Sequence, residues 1–167
     1  MEKRQELLQN INAVFSKVYE TALHDNDLRV AVDSVNKNSD DAILMELSFL
    51  DDSELGNTSL LQIYTTVCFD FNKENINEIL DRLNELSIKS SVGSFGIYKK
   101  LNQIFHRYTL YIRNTDDISF VYDVSAVAQR IIGLLSFLYE YIQAIASNPS
   151  QITLEEYLKN NANSITK

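Results

Sequence analysis

Two histidines, one cysteine, a serine set between glycines and a short acidic run are the side chains of this sequence whose types could do chemistry. His24 and His106 would hold a transition metal only with further ligands at suitable spacing, and neither an H-E-x-x-H pattern nor a cysteine pair accompanies them. His24 reads as closing a first helix, where partial positive charge suits the carbonyl dipole, and His106 as lying on a strand face. Cys68, in Thr66-Val67-Cys68-Phe69, lacks the basic neighbours that make a reactive thiolate and reads as core. Asp51-Asp52-Ser53-Glu54 departs from the alternating ligands and mid-loop glycine of a calcium loop, so it reads as a solvated turn.

Ser94 stands in Gly93-Ser94-Phe95-Gly96, whereas a nucleophile elbow reads G-x-S-x-G between a strand and a helix. The same glycines form neither G-x-G-x-x-G nor a Walker loop, and no helix N-terminus follows them to receive a phosphate. The expectation is no catalytic residue, no metal and no cofactor. With 167 residues, a net charge of −8 and a pI near 4.7, the chain repels phosphate backbones and anionic lipid, which argues against nucleic acid and membrane as partners. A charged N-terminus leads into an amphipathic pattern, and no run is expected to reach the roughly 20 apolar residues of a membrane span, so a cytoplasmic protein is expected.

Apolar residues at Leu7, Leu8, Ile11, Val14, Phe15, Val18, Tyr19 and Ala22 fall on one helical face, predicting a first helix over 2–23. Leu28–Val32, Ala42–Leu50 and Leu60–Phe71 are predicted as strands, parted by polar clusters that turn a chain. Asn72 is placed to cap a second helix, with Phe71 and Ile76 as its staple and Ile76, Ile79, Leu80, Leu83 and Leu86 inward. A second hairpin joins Val92–Tyr98 to Ile104–Ile112, whose period of two suits a sheet buried on one face. The run from Tyr122 to Ala146 is apolar over too wide an arc for one stripe, predicting a helix buried on two sides and stopped by Pro149. Thr153-Leu154-Glu155-Glu156 has capping-box form and opens a short last helix to about Asn161. The order α-β-β-β-α-β-β-α-α segregates its strands, so the expected fold is one α+β domain over 1–167. Its antiparallel sheet has about five strands, with helices on one side.

Acidic residues concentrate from Asp25 to Glu54, including Asp40, Asp41, Asp51 and Asp52, while Lys99, Lys100, Arg107 and Arg113 gather in the second hairpin. Solvated edges account for this, and so does a bipolar surface that orients a protein partner. The apolar surplus of the long helix, at Ile131, Leu134, Leu135, Leu138, Tyr141 and Ile142, reads as core and also as a surface for a second copy or a client segment.

The stretch from Leu61 to Ile142 resembles the YbjN-like bacterial proteins, which share the type III secretion chaperone fold. It is carried by Val92-Gly93-Ser94-Phe95-Gly96, the hairpin partner Arg107-Tyr108-Thr109-Leu110 and the long apolar helix. The resemblance implies a homodimeric, protein-binding domain with roles in stress or sensory regulation, and it supplies no catalytic residue. Gly93 and Gly96 then look like strand glycines marking close backbone approach or a bend. The leading expectation is a non-catalytic, chaperone-like or regulatory binding module that holds a protein segment with the open face of its sheet, an edge strand or the apolar long helix. The alternatives are an immunity or antitoxin-like inhibitor docking a basic protein through Asp25 to Glu54, and a small-ligand sensor using Tyr98, His106, Arg107 and Tyr111.

Overall fold

The structure, a computed structural model, describes residues 2–32, 43–50, 59–112 and 119–161. Helix α1 (Glu2–Phe15) leads into strands β1 (Glu20–Leu23), β2 (Asp27–Val32), β3 (Ile43–Leu50) and β4 (Ser59–Cys68). Helix α2 (Ile76–Lys89), the hairpin β5 (Ser94–Tyr98) and β6 (Gln103–Ile112), and helices α3 (Ser119–Ser147) and α4 (Leu154–Asn161) follow. All six strands join one antiparallel sheet in the order β1-β2-β3-β4-β6-β5. The fold is α+β, as expected, with one strand more than the sequence suggested.

The additional strand corrects the first helix. Its apolar spacing holds through Leu7, Leu8, Ile11 and Phe15, all buried, but α1 ends at Phe15 and Val18 is 74% exposed. Residues 20–23 pair with β2, Thr21 opposite Val30 and Leu23 opposite Leu28. The His24 N–H donates to the Asp27 carbonyl at 2.8 Å and closes the hairpin across Asp25-Asn26. His24 therefore sits in a β-turn and not at a helix end. The strand predicted to Phe71 stops at Cys68, after a register shift between Thr66 and Cys68.

Local signals hold elsewhere. The Asn72 side chain accepts from the Glu74 N–H at 3.1 Å and starts a single 3-10 turn that runs into α2. At α4 the capping box is complete: the Glu156 N–H donates to Thr153 Oγ1 at 3.2 Å, and the Thr153 N–H donates to the Glu156 carboxylate at 2.9 Å. The Thr153 N–H and the Thr153 hydroxyl, which also donates to the carboxylate at 2.8 Å, hold Glu156 below its ordinary pKa.

Burial alternates along the strands. Leu28 and Val30, Met45 and Leu47, Leu61 and Ile63, and Ile104 and His106 point to the helix side. On that side α3 lies against β4, α1 covers β1 and β2, and α2 covers β5. α4 packs on the outside of α3, where the Tyr157 hydroxyl donates to the Phe137 carbonyl at 2.6 Å. By length and composition α3 could cross a membrane, contrary to the expectation that no run comes near that size. In this fold its apolar arc forms the middle of the core.

Candidate interaction surface

The described helices lie on one side and none of them covers the opposite face of the sheet, whose composition the register reads out row by row. Leu50, Leu60 and Tyr111 form one row, followed by Ser48, Gln62 and Thr109. Next comes Arg29, Glu46, Tyr64, Arg107 and Ser94, and then Ala31, Leu44, Thr66, Phe105 and Gly96. Tyr111 is 57% exposed, Tyr98 44% and Leu44 39%. Exposed aromatic and aliphatic side chains on both sides of a charged row suit a protein interface, because rigid rings supply contact area with few rotors to freeze and charges set the register.

The centre of the face is Tyr64. Its ring stacks on Phe105, with centroids 5.0 Å apart. Burial pushes the phenol above its ordinary pKa, with Tyr98 and Glu46 adding to the rise and Arg107 opposing it, so Tyr64 remains a hydroxyl donor at neutral pH. On its β3 side Glu46 pairs with Arg29 at 3.6 Å, and Arg29 also reaches Asp27 at 3.1 Å. On its β6 side Arg107 is exposed, and no described carboxylate pairs with it.

Both glycines of the quoted strand motif serve this arrangement. Gly96 lets Phe105 lie flat across β5, since a Cβ there would stand 2.7 Å from the ring. Gly93 adopts φ +75°, and a Cβ would stand 2.6 Å from the His106 imidazole and 2.5 Å from the Arg107 carbonyl oxygen. The expected close backbone approach is present at both.

Other anticipated sites are dispersed. His106 is fully buried on the helix side, where Nε2–H donates to the Val92 carbonyl at 2.7 Å and the ring meets Phe95 edge-on. Its Nδ1 and the hydroxyl of its cross-strand neighbour Thr65 are buried without hydrogen-bond partners. Tyr98, Arg107 and Tyr111 lie on the opposite face, so the four residues considered for a small ligand do not converge. Cys68 is buried, its thiol donating to the Asp70 carbonyl at 2.7 Å. No three of His, Cys, Asp and Glu gather into a metal-binding group among the described residues.

The long-helix surface is corrected as well. Ile131, Leu135, Leu138, Tyr141 and Ile142 are buried in the chain's own core. Leu134 is half-buried and, with Leu86, Leu138, Leu154 and Leu158, lines an apolar groove of about 150 Å³ between α2, α3 and α4. The sheet and three helices together consume the apolar arc that looked like surplus. Asp40, Asp41, Asp51 and Asp52 lie outside the described residues, as does Arg113. The open face was among the expected binding surfaces, but its residues are not legible as a group in the sequence because they come from four strands and only the register collects them; the alternation of Arg107, Thr109 and Tyr111 is their one visible trace. No family model matches this chain, and no curated protein matches it.

Proposed function

We propose that this chain is a non-catalytic protein-binding module of chaperone-like or regulatory kind, which works as a homodimer and binds through the open face of its sheet. The observation that carries this reading is the Tyr64–Phe105 stack, flanked by exposed Tyr98, Tyr111 and Leu44 and by the charges of Glu46 and Arg107. These side chains occupy a face that the chain's own helices leave uncovered, and aromatic clusters of this kind carry much of the energy of protein interfaces.

Immobilised chain should test it. Wild-type bait is expected to retain protein, whether added soluble chain or a component of its native lysate. A bait carrying Tyr64→Lys and Tyr111→Lys should lose at least nine-tenths of that capture, on the order of the losses seen when interface aromatics are removed. Tyr122→Lys, on the exposed side of α3, should retain as much as wild type. Equal capture by all three baits overturns the reading.

A further inference from the structure

The open face is self-complementary, and we infer that its occupant is a second copy of this chain, packed sheet to sheet about a two-fold axis running along β4. This rests on the proposed homodimer and on reading the open face as its interaction surface, and goes further by fixing that the two copies meet through this face and in which orientation. β4 is flanked by β3 and β2 on one side and by β6 and β5 on the other. A two-fold rotation about an axis parallel to β4, between the two sheets, keeps each residue at its height along the strands and exchanges the two sides. Every row is therefore laid over its own reverse.

In the central row Glu46 and Arg107 flank Tyr64, so the rotation sets Glu46 over Arg107 of the other copy, twice, with Tyr64 over Tyr64 on the axis. One row along, Leu44 is set over Phe105, and at the other end Leu50 is set over Tyr111. Gly96 falls over Ala31, two small residues beside the bulky pair. Charge thus meets opposite charge, and apolar rows meet apolar rows. Arg107, which no described carboxylate pairs, receives a carboxylate from the other copy. An isologous contact demands this kind of matching, in which residue i meets j and j meets i. Packed sheets usually cross at about 30°, which a small tilt of the axis from β4 accommodates while keeping the near-axis pairs.

The size is sufficient. Counting eight residues from each of β3, β4 and β6, six in β2 and five in β5, at about 4.8 Å spacing and about 3.3 Å rise, the footprint is about 550 Å² per copy, or about 1,100 Å² in total, near the size at which specific interfaces begin.

The test uses charge reversal and solution mass across a concentration series. Wild-type chain should be dimeric. Glu46→Arg alone sets arginine over Arg107 twice, and Arg107→Glu alone sets glutamate over Glu46 twice, so each variant should dissociate at least tenfold more readily. Mixed in equal amounts, the two variants should form a heterodimer, because both contacts then become opposite pairs. Restoration on mixing also shows that each variant is folded. A wild-type chain that stays monomeric throughout overturns the assignment of the partner, while loss of capture by the Tyr64→Lys and Tyr111→Lys bait still upholds the open face as a binding surface. A dimer that tolerates both reversals, or variants that fail to associate on mixing, also overturns it.

Discussion

At the scale of single residues, the interior turns on His106 and on the glycine that makes room for it. Any side chain at Gly93 meets the imidazole and the Arg107 carbonyl at once, and φ +75° penalises it independently. Gly93→Ala should cost about 2–4 kcal/mol, read as a lowered midpoint in urea unfolding, because strain and overpacking add. Burial holds the His106 pKa below its ordinary value, partly offset by the bond to the Val92 carbonyl. The sign follows directly. The unfolded chain takes up the proton near pH 6.5, before the folded one does, so stability is present in full above that pH and is lost as pH falls toward the folded pKa. His106→Gln should flatten that loss below about pH 6.5, measured by unfolding at each pH.

Elements show where local signals suffice and where they fail. Caps act within four residues, so the 3-10 turn that leads into α2 was legible at Asn72, although α2 itself starts past Asn75 without a side-chain cap, and the start of α4 was legible at Thr153-Glu156. The chain after Phe15 was not, because Val18, Tyr19 and Ala22 satisfy a helical spacing while residues 20–23 also satisfy a strand. Pairing with β2 decides between the two, and that pairing depends on the turn at Asp25-Asn26. Within α3, Gly133 is exposed, and a Cβ built there meets no atom within 4 Å. Gly133→Ala should therefore stabilise the protein by about 1 kcal/mol, seen as a raised Tm, through reduced backbone entropy in the unfolded chain.

The whole molecule is layered, with an outer helix, a helix layer and a sheet whose far face is bare. Such a sheet presents an aromatic centre to water on one side only, and association through it couples folding to concentration. For a dimer built on this face, the Tm of wild-type chain should rise with protein concentration, whereas that of Glu46→Arg should stay flat. Differential scanning fluorimetry over a hundredfold range of concentration reads this directly. A flat wild-type profile would count against self-association at those concentrations.

Composition and periodicity by themselves determined the fold class, the second hairpin, three of the four helices within a few residues, and the burial of α3 on two sides. These are local properties, set by which side chains recur on one face of a helix or strand. Only the tertiary structure decided that α3 spends its apolar arc inside the chain, that residues 20–23 form an edge strand, and that Glu46, Tyr64 and Arg107 stand in one row. The first and the last depend on contacts between segments far apart in the chain, and the second on pairing across the turn at Asp25-Asn26. Strand register is such a contact, since a shift of one residue would send every one of these side chains to the opposite face.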